Sequence, residues 1–137
     1  MNEVINFVLE LERLKSVTRK TRVVGTDRFE NSAEHSWQIA MMAASMAPYA
    51  APGLDMPRVI SMLLVHDIGE IDTGDTIAFA EGGWEARKSA ELLAVERIFG
   101  LLPQAQANHF LELWKEFEQG ETVESRYANA VDRAMPV

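Results

Sequence analysis

The stretch Leu63–Asp75, LLVHDIGEIDTGD, contains the features that decide both the fold and the chemistry of this chain. An apolar run leads into a His-Asp pair and a glycine, and three further acids follow by Asp75. His66 and Asp67 are therefore expected at the C-terminal end of an apolar helix. An unpaired carboxylate is disfavoured there by burial and by the negative end of the helix dipole, and a bound cation would reverse both penalties. Taken alone, a histidine at a helix end is more often a cap or a packed core residue.

Apolar residues recur with helical periodicity along almost the whole chain. The capping-box pair Asn31 and Glu34 marks the start of one helix, and glycines or prolines flank most of the others. The pattern predicts helices over residues 2–15, 32–47, 57–69, 84–99, 104–119 and 123–135. Two irregular stretches are expected, over 15–31 and 69–83, and no convincing strand is visible. The predicted fold class is all-α, a single helical bundle of five to six helices.

Composition excludes several classes of protein. The 137 residues suffice for one domain, and the net charge of −8 disfavours a nucleic-acid-binding surface. The chain has no cysteine, which excludes thiolate metal sites and fits a reducing compartment, so a cytoplasmic location is expected. The N-terminus lacks the basic region of a signal peptide, and no apolar run is long enough to span a membrane.

Two more helices carry a metal-type ligand on or beside their apolar face. His35 lies in the otherwise apolar SAEHSWQIAMMA, and Asp132 lies among small residues in YANAVDRAM. Together with the His-Asp pair, they offer two neutral imidazoles and two carboxylates, which would neutralise a divalent ion. About two positions of an octahedron would stay open for water and substrate, which is typical of a catalytic site.

The stretches LERLKSVTR, NSAEHSWQIAMMA, LLVHDIGEIDTGD and YANAVDR together resemble the HD-domain superfamily of metal-dependent phosphohydrolases, and its 5′-deoxynucleotidase branch in particular. The resemblance covers nearly the whole chain and implies one HD domain over residues 1–137. It implies that the metal ligands are His35, His66, Asp67 and Asp132. The cofactor would be one divalent ion drawn from Mn, Co, Fe, Ni, Zn or Mg.

The same resemblance assigns roles to the acids that follow the His-Asp pair. It places Glu70 and Asp75 in the catalytic machinery, and water activation or proton transfer is the role we favour for Glu70. If the helix continued through Gly69, Glu70 would lie on the same side as His66 and Asp67. Without the resemblance, a solvated acidic loop would be the better interpretation, and Asp72 is left as that case.

A basic segment precedes the first histidine and is expected to meet the substrate's charge. It contains five of the chain's thirteen cations, namely Lys15, Arg19, Lys20, Arg22 and Arg28. A guanidinium can bind two phosphate oxygens at once, and the resemblance singles out Arg19 as the phosphate contact. The expected substrate is a small-molecule phosphate ester, most simply a nucleoside monophosphate. Single-step hydrolysis would need no covalent phospho-enzyme.

Two features depart from the family pattern. Lys20 stands where deoxynucleotidases of this type commonly carry an aromatic residue that rejects ribose. Relatives also usually continue for some tens of residues beyond the position of Asp132, so the chain is expected to be a short or truncated form. The alternatives that remain are a phosphodiesterase, another phosphate-ester hydrolase, or a non-catalytic module that binds nucleotide or metal. The family favours a homodimer. With His109 as the only further histidine, a one-metal site is preferred to a diiron site.

Overall fold

The computed structural model describes residues 1–74 and 83–135. In this part of the chain, six α-helices have nine residues or more, which confirms the predicted all-α class and helix number. The α-helices in chain order are α1 (Asn2–Glu10), α2 (Ser32–Ser45), α3 (Met56–Val65), α4 (Glu70–Thr73), α5 (Gly83–Phe99), α6 (Gln104–Gln119) and α7 (Val123–Ala134). The remaining elements are two 3-10 helices, Leu11–Ser16 and Ala47–Tyr49, and two strands, β1 (Thr18–Arg22) and β2 (Phe29–Asn31).

Helix α3 forms the centre of the bundle and packs against α2, α6 and α7. Its spacing of apolar residues buries one continuous stripe, consisting of Val59, Met62, Leu63 and Val65. Because His66 follows this stripe directly, the central packing also carries the histidine into the interior, where it is 5% exposed.

A second packed region joins α1, α5 and α6. The rings of Phe7, Phe99 and Phe110 meet pairwise, with centroids 5.8 to 6.4 Å apart. These are the tilted and offset distances that aromatic pairs prefer, and they hold α1 against the long helices. The predicted first helix is shorter than expected, because its final residues, Leu11–Ser16, form a 3-10 helix.

The predicted capping box at the start of α2 is confirmed. The Asn31 side chain accepts a hydrogen bond from the Glu34 backbone N–H at 2.9 Å, and Glu34 Oε1 accepts from the Asn31 N–H at 3.0 Å. Arg28 adds a two-pronged ion pair to the same carboxylate. The hydrogen bonds from Arg28, with a smaller contribution from the Asn31 backbone N–H, lower the pKa of Glu34 to about 2. Burial acts in the opposite direction but is slight at this position.

We expect Asn31→Ala to lower the free energy of unfolding of the metal-free protein by about 1 kcal/mol, since it removes the N-cap acceptor. Urea denaturation measures the change, with Asn108→Ala as the control because that exposed asparagine lies inside α6. Equal losses in the two variants would contradict a capping role for Asn31.

The expectation of an irregular segment without strands over residues 15–31 was wrong. Strands β1 and β2 form an antiparallel hairpin in which Thr18 pairs with Asn31 and Arg22 with Phe29. The turn contains Gly25 at a positive φ of 81°. Strand β1 reads TRKTR, so its alternation of partly buried and exposed residues involves no apolar side chain. Hydrophobic periodicity therefore gave no strand signal here.

The prediction that the third helix runs to Gly69 was also wrong, as was the assignment of residues 69–74 to an irregular stretch. Helix α3 ends at Val65, and a turn with Ile68 N–H bonded to the Val65 carbonyl leads into α4. A Cβ at Gly69 would lie 3.2 Å from Val95 and 3.3 Å from the Glu91 carbonyl oxygen. The glycine thus allows α5 to pack closely against this turn.

No helix in the described part of the chain combines the length and the apolar character that a membrane span requires.

Candidate metal centre

His66 occupies the C-cap position of α3, and its ring is fixed by a backbone hydrogen bond. Nδ1 lies 2.6 Å from the Leu63 carbonyl oxygen, which can only accept, so Nδ1 carries a proton. Nε2 faces the opposite way, 3.2 Å from Asp67 Oδ1 and 3.4 Å from Asp132 Oδ1. The backbone therefore selects Nε2 as the atom that points at the carboxylates, as expected for a metal-ligating histidine.

His35 reaches the same place from the second turn of α2. Its side chain is almost fully buried, and Nε2 lies 2.8 Å from Asp132 Oδ1. The two imidazole rings stand 5.8 Å apart, with the carboxylate of Asp132 from α7 against both. Three helices that are far apart in sequence thus bring three predicted ligands together.

The donor set of this cluster fits a divalent ion. One ligand atom each from His35, His66 and Asp132 lies within 4.8 Å of the others, and Asp67 adjoins them through His66. Two imidazole nitrogens with carboxylate oxygens suit a first-row divalent metal and leave coordination positions for water or substrate. We refer to these four residues as the metal centre.

The close approach of buried imidazoles and carboxylates shifts their pKa values in opposite directions. Burial alone would lower the pKa of His66, but Asp67 and Asp132 outweigh it and raise that pKa to about 9. Burial alone would raise the pKa of Asp132, but hydrogen bonds from His35 and His66 hold it well below its usual range. The metal-free protein therefore keeps an imidazolium at His66 near neutral pH.

We expect Mn²⁺ binding at pH 7 to release about one proton, because the ion replaces the proton on His66 Nε2. The apparent affinity should rise with pH and level off only above pH 9, where the imidazole becomes neutral. Calorimetric titrations in two buffers of different ionisation enthalpy measure the release. Identical heats in the two buffers would contradict it.

Arg19 projects from β1 onto the metal centre. Its Nη1 lies 3.4 Å from Asp67 Oδ2, and its Nε lies 3.3 Å from Oε2 of Glu30 on β2. The side chain is 20% exposed, although its Nε is buried. Sequence reasoning missed Glu30, since a single acid in an exposed-looking loop carries no distinguishing signal.

The other four cations of the basic segment do not share this position. Lys15 pairs with Glu12, Arg22 lies over the Phe29 ring, and Arg28 pairs with Glu34, while Lys20 is exposed on the side of β1 opposite to Arg19. For Lys20 and Arg22, which share β1 with Arg19, strand alternation explains the difference, because successive side chains point to opposite faces.

Glu70 begins α4 and is buried, with Oε2 accepting a hydrogen bond from Ser32 Oγ at 2.9 Å. Ser32 is the first residue of α2, one turn before His35. Glu70 is thus held against the helix that carries a predicted metal ligand. Asp75 lies outside the described residues.

Helix α5 forms a further wall that the sequence did not indicate. A cavity of about 270 Å³ has His66, Asp67 and Asp132 on one side and Trp84 and Arg87 of α5 on the other. The Trp84 ring is 61% exposed. The helical pattern located α5 but not the face that borders the centre.

Arg87 and Lys88 lie over the Trp84 ring at 5.1 and 5.0 Å. Arg87 Nε also lies 3.0 Å from Oε1 of Glu91, and desolvation raises the pKa of this carboxyl despite the cation beside it. This wall of the cavity therefore carries the cations Arg87 and Lys88 beside the Glu91 carboxyl group, whose pKa is raised.

Comparison with known proteins gives consistent matches. Residues 11–137 match the HD domain family. The chain is 27% identical over 130 residues to the 5′-deoxynucleotidase HDDC2 of Homo sapiens, covering 94% of this chain and 62% of that protein. It is 30% identical over 125 residues to a 5′-deoxynucleotidase of Erwinia tasmaniensis, covering 85% of this chain and 62% of that protein.

A solved structure, that of a predicted metal-dependent phosphohydrolase from Magnetospirillum magnetotacticum MS-1, superposes with a TM-score of 0.90 at 43% identity. The match covers 98% of this chain and 69% of that one. The chain belongs to the HD domain family. It spans a little under two thirds of the length of the curated deoxynucleotidases that it matches.

Proposed function

We propose that this protein is a metal-dependent phosphohydrolase that converts (deoxy)nucleoside 5′-monophosphates to nucleoside and phosphate. The observation that carries the proposal is the placement of Arg19 3.4 Å from Asp67, at the edge of a buried cluster of two imidazoles and two carboxylates. A cation site beside a guanidinium is suited to a phosphate dianion, because both neutralise its charge. The similarity to proteins named 5′-deoxynucleotidase supports this substrate class.

In this proposal His35, His66, Asp67 and Asp132 hold one divalent ion, whose identity among Mn, Co, Fe, Ni, Zn and Mg is left to experiment. When bound, such an ion supplies Lewis-acid polarisation of the phosphoryl group and acidifies the attacking water. The proposal of a single ion is supported by His109, which is exposed on α6 and does not belong to the cluster.

Substrate orientation and proton transfer are then assigned to side chains of the protein. Arg19 orients the phosphate and stabilises its charge. Glu70 takes a proton from the attacking water or passes one to the leaving alkoxide, and Asp75 is proposed to assist it. Water attacks phosphorus, the P–O bond to the sugar breaks, and the products are a nucleoside and inorganic phosphate. No covalent intermediate is required.

The first test is phosphate release from a panel of deoxyribo- and ribonucleoside 5′-monophosphates. Metal-stripped protein would receive Mn²⁺, Co²⁺ or Mg²⁺, with Asp67→Ala as the control. Release that needs both the ion and Asp67 supports the proposal. Because Lys20 is exposed and is not aromatic, we expect ribonucleotides to be hydrolysed too, and strict selectivity for deoxyribose would contradict that expectation.

The same panel separates the alternatives. Release of p-nitrophenol from bis(p-nitrophenyl) phosphate, without phosphate release from monoesters, would favour a phosphodiesterase. Binding of Mn²⁺ and nucleotide by folded protein without any turnover would favour a non-catalytic module. A stretch of 74 residues is 34% identical to a phage dATP triphosphohydrolase, so a deoxynucleoside triphosphate belongs in the panel as well.

We also propose that the protein acts as a homodimer in the cytoplasm. Two large apolar side chains one turn apart on α2, Trp37 and Met41, are 64% and 50% exposed, which supports association through this face. The absence of cysteine fits a reducing compartment. Light scattering on the purified protein tests the dimer, and a monomer at micromolar concentration would contradict it.

A further inference from the structure

Glu30 lies between the arginine assigned to phosphate and a histidine assigned to the metal. It sits in β2, and its side chain is only 14% exposed although the hairpin as a whole is at the surface. Alternation along β1 directs Arg19 and Thr21 to the side that is partly buried. Glu30 is thus within reach of both the proposed phosphate contact, Arg19, and the proposed metal ligand, His35.

The contacts converge on a single oxygen atom. Glu30 Oε2 accepts a hydrogen bond from Thr21 Oγ1 at 3.0 Å, lies 3.3 Å from Arg19 Nε, and lies 3.8 Å from His35 Nδ1. Thr21 fixes the carboxylate from within the hairpin. The same oxygen then faces a cation on one side and an imidazole nitrogen on the other.

The contact with Arg19 determines which guanidinium atoms are left for a substrate. Glu30 faces Nε, while Nη1 points toward Asp67. Nε is buried and makes no hydrogen bond among the described residues, so the carboxylate acts on the guanidinium through ion pairing, which favours an orientation with its outer nitrogens toward the centre. Without Glu30, Arg19 would be free to turn toward Asp67, its other carboxylate partner, or out into solvent.

The approach to His35 determines which ring nitrogen can bind a metal. Nε2 points at Asp132, so metal binding by Nε2 requires the remaining proton to stay on Nδ1. A carboxylate 3.8 Å from Nδ1 stands where outer-shell partners of metal-ligating histidines are found and can support a proton on that nitrogen. Glu30 is the acidic group that stands in this position.

We propose that Glu30 is a positioning residue shared by the two halves of the site: it orients Arg19 for phosphate and supports His35 from the Nδ1 side when Nε2 binds the ion. The inference rests on the proposed function for the identity of the phosphate ligand. A positioning role for Glu30 can be distinguished from a purely electrostatic role, because the two roles predict opposite changes in phosphate affinity when Glu30 is replaced. Removing a nearby negative charge strengthens anion binding, whereas losing the orientation of Arg19 weakens it.

Calorimetry on the whole chain tests the proposal with two probes, Mn²⁺ alone and inorganic phosphate added to protein saturated with Mn²⁺. For Glu30→Gln we expect Mn²⁺ affinity to fall about tenfold, the lower end of the range for outer-shell partners. Phosphate affinity should fall several-fold. Asp27→Asn is the matched control, because it removes a fully exposed carboxylate from the same hairpin and should change neither value.

A double variant separates positioning from folding. In an Arg19→Ala background, Glu30→Gln should no longer weaken phosphate binding while still weakening Mn²⁺ binding, since the loss of phosphate affinity acts only through the arginine. Unchanged or increased phosphate affinity in the single variant would overturn the proposal. An equal loss of phosphate affinity in the two backgrounds would overturn it too. Because neither probe depends on turnover, failure of the wild type to hydrolyse any monophosphate would count against the proposed function alone.

Discussion

Asp132→Asn is expected to weaken Mn²⁺ binding by more than about 100-fold, beyond the range of outer-shell substitutions, and to remove metal-dependent phosphate release in the same proportion. One oxygen of this carboxylate lies 2.8 Å from His35 and 3.4 Å from His66, so it is the residue through which the two imidazoles meet. Asparagine keeps the size of the side chain and its contact with the histidines. It loses the charge that a divalent ion requires.

Competition with a fluorescent chelator measures the affinity, and phosphate release at a limiting, fixed concentration of free Mn²⁺ measures the activity. The control is Glu124→Gln in the same helix, whose carboxylate accepts a hydrogen bond from the Asp55 backbone N–H away from the centre. Both variants should unfold cooperatively without metal, although Asp132→Asn should do so at a lower temperature because it loses the charge that pairs with His66. If Asp132→Asn bound Mn²⁺ like the wild type, Asp132 would not be a ligand.

Glu70→Gln should reduce kcat by about 10² to 10⁴-fold, the range associated with a general acid or base, while leaving Mn²⁺ affinity within a few-fold of the wild type. The carboxylate is buried and held by Ser32, and glutamine can still accept that hydrogen bond through its amide oxygen. What the variant loses is the capacity to take up and release a proton.

Asp72→Asn provides the comparison within the same short helix. Its carboxylate pairs with Arg97 at 2.8 Å on the outer surface, so its loss should cost little activity. Steady-state kinetics at saturating Mn²⁺ separates kcat from KM for both variants. A loss in Glu70→Gln that appears only in KM, or only through weaker metal binding, would contradict a role in proton transfer.

Helical periodicity in the sequence was sufficient to locate the five longest helices, α2, α3, α5, α6 and α7, to within a few residues. Caps and breakers were equally informative. The Asn31–Glu34 box begins α2, and Gly120, at a φ of 64°, ends α6. These signals are local, because each depends on residues within one or two turns. The HD-family motifs supplied the predicted ligands, three of which the fold brings together.

Strand β1 shows where local signals fail. TRKTR contains no apolar residue, so its pairing is visible only when β2 lies beside it. The hairpin also affects the site, because it directs Arg19 toward the metal centre, whereas the four other cations near it in sequence lie elsewhere. The turn after Val65 is a similar case, since close packing of α5 against Gly69 accompanies the end of α3.

The sequence by itself determined the all-α class, the order of the helices and the residue types able to bind a metal, because these follow from periodicity and from the chemistry of individual side chains. Only the tertiary structure decided that Glu30 faces both Arg19 and His35, and that α5 closes the other side of the centre. Such contacts join residues from separate elements. Their distances depend on how the elements pack, and no spacing along the chain encodes that.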